Sequence, residues 1–108
     1  MTDGPLHPLD RLWSTVEARR GADPGESWTA RLLSEGPARC AAKFGEEAVE
    51  AVIDAARGDP EALVRESADV LYHLCVMLAA SGATLPEVMA ELERRAATSG
   101  IAEKAARR

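Results

Sequence analysis

Residues 57–60, Arg57-Gly58-Asp59-Pro60, restrict the fold of this chain more than any other stretch. Gly58 is a helix stop, because glycine takes the left-handed conformation that closes a helix without steric cost. Asp59 is an N-cap, able to accept from the free N–H groups of a new first turn. Pro60 fits the first helical position, where its missing N–H costs nothing. A stop and a start this close leave almost no loop. The long helical patterns on either side must therefore fold back as an antiparallel pair. The first opens at Pro37 and runs to about Arg57; the second runs from Pro60 to Ser81 and stops at Gly82.

The rest of the chain is punctuated in the same way. Leu9, Leu12, Trp13 and Val16 follow the i, i+3, i+4, i+7 spacing of an amphipathic helix ended by Gly21. Residues 21–27, with Pro24 and Gly25, read as a flexible linker. Ser27 caps a short helix through Leu33 that Gly36 stops. Thr84 and Glu87 form a capping box for a helix to about Ala97, and Ser99-Gly100 breaks it before a short basic tail over residues 98–108. No window alternates with period two, so no strand is expected. The expected fold is all-α, about five helices around a central antiparallel hairpin, in a single domain over residues 1–108.

One helix does not suit a lone small chain. Residues 68–80 are apolar nearly all round, the pattern of a helix buried on most sides. A chain of 108 residues with only 4% aromatics has few helices and little bulk to surround it. A bundle completed by dimerisation is the expectation. Cys40 and Cys75 lie in apolar helical runs and fit no zinc spacing, so both read as small core residues. A formal net charge of −5 without a broad basic stripe argues against a nucleic-acid partner. The longest apolar run, residues 74–80, is too short for a membrane span, and no basic start followed by an apolar run opens the chain. A cytoplasmic protein is expected.

Two acidic pairs point to chemistry. Glu47 and Glu50 are three apart on the first long helix, and Glu66 and Asp69 three apart on the second, so each pair shares a face. Glu50 and Glu66 each lie eight residues from Gly58; Glu47 and Asp69 each lie eleven. Across an antiparallel hairpin, equal offsets mean equal heights, about 12–17 Å from the turn at 1.5 Å per residue. If both stripes face one groove, four carboxylates converge. Such a cluster either raises its pKa values or recruits a cation. Oxygen-only ligands favour Mg²⁺ or Mn²⁺ over zinc. A solvated salt-bridge face is the competing reading, although apolar neighbours crowd both stripes.

The next level of the same groove, fifteen residues either side of Gly58, holds Lys43 and His73. Lys43 is either a phosphate contact or an i, i+4 partner of Glu47. His73 reads as a core or rim histidine. Asp54 extends the stripe as an outer or plain surface acid. Gly45, in mid-helix, suggests close approach of a backbone or ligand.

The segment Glu47-Ala48-Val49-Glu50, then Glu66-Ser67-Ala68-Asp69, resembles the ExxE…ExxD signature of the MazG-like all-α NTP pyrophosphohydrolases. The surroundings are more specific. Ser27-Trp28-Thr29-Ala30-Arg31-Leu32-Leu33, Glu35-Gly36, Lys43-Phe44-Gly45-Glu46, Val70-Leu71-Tyr72-His73 and Ser99-Gly100-Ile101-Ala102-Glu103-Lys104-Ala105 are similar to the phosphoribosyl-ATP pyrophosphatase family over nearly the whole chain. The resemblance implies Mg-dependent hydrolysis of phosphoribosyl-ATP to phosphoribosyl-AMP and pyrophosphate, the second step of histidine biosynthesis, by a homodimer. It implies Glu47, Glu50, Glu66 and Asp69 as metal ligands. Glu46, Glu47 and Glu50 are candidates for the proton acceptor, with Glu47 and Glu50 favoured. Lys43 and Arg31 are candidates for phosphate contact. A house-cleaning NTP pyrophosphohydrolase and a non-enzymatic helical dimerisation module remain as alternatives.

Overall fold

A computed structural model describes residues 7–97 of the chain. Five helices follow in order: α1 (Pro8–Ala18), α2 (Trp28–Glu35), α3 (Pro37–Ala56), α4 (Pro60–Ala80) and α5 (Leu85–Ala96). No strand occurs among the described residues, and the all-α expectation holds. The capping chemistry operates where the residue types placed it. Ser27 Oγ accepts from Ala30 N–H, Asp59 Oδ1 from Ala62 N–H, and Thr84 with Glu87 closes the full capping box. Gly58, at φ +72°, takes the left-handed conformation its turn requires. Gly36 (φ +94°) plays the same part between α2 and α3, so those helices are separated by one residue. The tail pattern at residues 99–105 lies outside the described residues.

α3 and α4 pack mainly on each other, and α1 and α2 lie against the same pair. The core gathers at the end of α3–α4 remote from Gly58. Val16, Leu32, Cys40, Cys75, Val76 and Ala79 form it, with Leu12, Trp13 and Tyr72 packed at its margin. Both cysteines are buried free thiols, as their apolar setting implied. Arg20 pins the end of α1 to this core by donating to the carbonyl of Ala79, 3.2 Å away.

α4 is only partly covered within the single chain. The helix is buried at His73, Cys75, Val76 and Ala79, yet Val64, Ala68 and Leu71 are exposed, as are Val49, Val52 and Ile53 on α3. α1, α2 and α5 supply the remaining buried side chains, and much of the half of the hairpin nearer Gly58 stays exposed. No single helix among the described residues is long and apolar enough to cross a membrane.

Candidate active site

The hairpin brings its acidic stripes together. Oxygens of Glu47 on α3 and of Glu66 and Asp69 on α4 lie within 4.8 Å of one another, close enough to share one cation. Glu50, more exposed, stands outside this group of three, but its charge still reaches Glu66. The hairpin thus juxtaposes acids from both levels, with Glu47 hydrogen-bonded to Glu66.

Glu66 shows what the crowding costs. Its carboxyl is pushed up to about 7, first by burial, then by a hydrogen bond with Glu47, then by the charges of Glu47, Asp69 and Glu50. Its Oε2 is buried and has no hydrogen-bond partner. A buried acceptor without a donor is rare and costly in a folded protein. The charges of Glu47, Asp69 and Glu50 all act on the same carboxyl.

Lys43 and His73 occupy the next level, as their shared offset implied. Lys43 Nζ is 3.8 Å from Glu46 Oε1 and 4.0 Å from Glu47 Oε2. His73 is buried, and burial holds its imidazole below the ordinary histidine range, against the opposing pull of Glu47, Asp69 and Glu46. Its Nδ1 has no partner. The ring meets Tyr72 edge-on at 4.8 Å between centroids, and the Tyr72 hydroxyl hydrogen-bonds Thr29 of α2. α2 therefore braces α4 beside the groove.

Arg31 is exposed on α2, with Nε 3.5 Å from Glu35 Oε2 on the same helix. Asp54 is half-buried, and its carbonyl accepts from Asp59 N–H. Among the described residues nothing approaches Gly45 closely: a Cβ added there would meet nothing within 4 Å. Two contributors went unnoticed in the sequence. Arg39 touches Glu35 and Glu46, and Thr29 holds Tyr72. Arg39 had a signal, since it precedes Lys43 by four and Glu47 by eight on one stripe.

Carboxylate oxygens this close are the donor set of a hard cation. Residues 9–96 match the family model described as phosphoribosyl-ATP pyrophosphohydrolase, a span that includes every site residue above. A phosphoribosyl-ATP pyrophosphatase of Cereibacter sphaeroides is 71% identical over 99 residues, covering 92% of this chain and 96% of the relative. The Rhodobacter capsulatus protein of that name is 68% identical over the same shares. That of a Jannaschia species is 61% identical over 94% of this chain and 100% of its own. With a match of this length and these identities, the chain belongs to the phosphoribosyl-ATP pyrophosphohydrolase family.

Proposed function

We propose that this chain hydrolyses phosphoribosyl-ATP to phosphoribosyl-AMP and pyrophosphate, the second step of histidine biosynthesis, with Mg²⁺ held by Glu47, Glu50, Glu66 and Asp69. Mn²⁺ is the expected substitute. The observation that carries the reading is the buried, partnerless Glu66 Oε2 in a cluster of carboxylates whose oxygens lie within 4.8 Å of one another. Bound there, Mg²⁺ would supply charge neutralisation for the polyphosphate and Lewis acidity at the reacting phosphorus.

The residues divide the remaining work. A water oxygen attacks the α-phosphorus, the bond from that phosphorus to the bridging oxygen breaks, and pyrophosphate leaves. One carboxylate accepts the water's proton. Glu46 is engaged by Arg39 and Lys43, and Glu47 faces Glu66. Glu50, at the open side of the cluster, is therefore our choice, with Glu47 next. Lys43 has only long contacts to exchange for the leaving pyrophosphate. The neutral ring of His73 keeps that level of the groove from becoming more anionic or more cationic. Positioning and electrostatics of this kind supply most of the catalysis in phosphoryl transfer.

The exposed Val49, Val52, Ile53, Val64 and Leu71 support a homodimer in which a second copy covers the unshielded half of the hairpin. We place the reaction in the cytoplasm, where nucleotide substrates are found.

The test is pyrophosphate release followed by ³¹P NMR, with phosphoribosyl-ATP, ATP and dCTP in parallel. Release from phosphoribosyl-ATP that stops on adding EDTA supports both substrate and cation. Release from ATP or dCTP instead would move the protein to nucleotide house-cleaning. Unchanged release in EDTA would remove the metal.

A further inference from the structure

A line of ion pairs leads away from the carboxylates along α3 and onto α2. Glu47 pairs with Lys43, Lys43 with Glu46, Glu46 with Arg39 at 3.7 Å, Arg39 with Glu35 at 3.5 Å, and Glu35 with Arg31 at 3.5 Å. Glu35 and Glu46 are each shared by two cations. The contacts are loose, 3.5–4.0 Å, and only the one from Arg31 to Glu35 has hydrogen-bond geometry. α5 shows what a committed pairing looks like in this protein. There Arg94 and Arg95 hold Glu91 at 2.6 and 2.9 Å and pull its carboxyl down to about 2. The Arg39 guanidinium is thus positioned without being satisfied, and its side chain is 45% exposed.

The dimensions suit a ligand with two separated phosphate groups. Arg39 precedes Glu47 by eight residues, about 12 Å along the helix axis. Phosphoribosyl-ATP differs from ATP by a second ribose, joined to the adenine ring, that carries a phosphate monoester. Its two phosphate ends are separated by a ribose, a purine and another ribose, long enough to reach sites two helical turns (about 11 Å) apart. With the triphosphate at the carboxylates, the monoester falls toward the arginine end. A planar guanidinium fork binds a terminal phosphate bidentately, a better contact than two shared carboxylates at long range.

We propose that Arg39, assisted by Arg31, binds this second phosphate and thereby separates phosphoribosyl-ATP from ATP. The inference rests on the proposed activity and deepens it from reaction to specificity. In the free protein, Glu35 and Glu46 hold the two arginines at the groove's edge, and the incoming monoester replaces them.

The experiment compares kcat/KM for phosphoribosyl-ATP and for the same compound lacking the monoester, in the full chain with Mg²⁺ and in the variants Arg39→Gln and Arg39→Lys. The unaltered protein prefers the phosphorylated substrate by about 10- to 100-fold, the range of one charge-assisted hydrogen-bonding contact. In Arg39→Gln that preference collapses to within about threefold, through KM more than kcat. Arg39→Lys, which keeps the charge and loses the fork, falls between. A ladder that only stiffens the helices would lower kcat/KM on both compounds equally, and an undiminished preference in Arg39→Gln overturns the proposal. So does a protein without any preference for the monoester. A protein that releases no pyrophosphate from phosphoribosyl-ATP refutes the activity itself, and the specificity reading falls with it.

Discussion

Binding of Mg²⁺ to the hairpin should eject a proton, and the amount at each pH follows from Glu66. The carboxyl stands at about 7 in the metal-free protein. A cation ligand must be ionised, so metal displaces whatever proton the site holds. A group titrating at about 7 is about nine-tenths protonated at pH 6, half at pH 7 and one-tenth at pH 8. Metal binding should therefore release about 0.9, 0.5 and 0.1 proton at those pH values. An ordinary glutamate, near 4.3, would release about 0.02 at pH 6. Isothermal titration of Mg²⁺ in buffers of different ionisation enthalpy reads the number directly. Since Glu47 shares a hydrogen bond with Glu66, the proton belongs to the pair. Both Glu66→Gln and Glu47→Gln should diminish the release. The stability linkage has a definite sign. The folded protein holds this proton more tightly than the unfolded chain, so metal-free stability falls as pH rises from about 4.5 to about 7. Saturating Mg²⁺ should remove that fall. Release below about 0.2 proton at pH 6 would mean that the carboxylates do not crowd as described.

Three further outcomes follow from features outside the carboxylates. Gly45→Ala should stabilise the protein by about 0.5–1 kcal/mol in thermal unfolding, since a methyl there meets nothing among the described residues; destabilisation would mean that a second copy presses on α3 at this point. Val52→Glu and Val64→Glu alter side chains that are 66% and 71% exposed. On a monomer each should cost within about 0.5 kcal/mol, whereas in the proposed dimer they should halve the mass seen by light scattering; an unchanged mass would place the interface elsewhere. Thr84→Ala removes the hydroxyl that accepts from Glu87 N–H. It should cost about 1 kcal/mol, or 4–8 °C in Tm, and a shift under about 1 °C would mean that the cap does not hold α5.

Helix boundaries were legible because each has a local chemical cause. Ser27, Asp59 and Thr84 cap through their own side chains, and Gly36 and Gly58 take conformations closed to other residues. The convergence of Glu47, Glu66 and Asp69 was legible for a geometric reason, since residues at equal offsets from a tight turn end at equal heights. What escaped depends on side chains reaching between helices. Glu46 bridging Lys43 and Arg39, or Thr29 holding Tyr72, is settled by rotamers and helix approach, which periodicity does not encode. Leu71 is exposed in the single chain, and the pattern alone does not say what covers it. An apolar pattern specifies a face that wants cover without saying whether this chain or another provides it.

The connection at Gly58 also limits how this protein can vary. Exposed turns of small and polar residues are ordinarily where insertions are tolerated. Here the turn sets the phase between two ligand-bearing helices. One residue added as a continuation of either helix would rotate α4 by about 100° relative to α3 and advance it by 1.5 Å, which would take Glu66 and Asp69 off the face that meets Glu47. The turn is therefore a gauge as much as a link. A chain of this design can accept changes of residue at most surface positions, but a change in the length of this turn would separate the site into two unconnected halves.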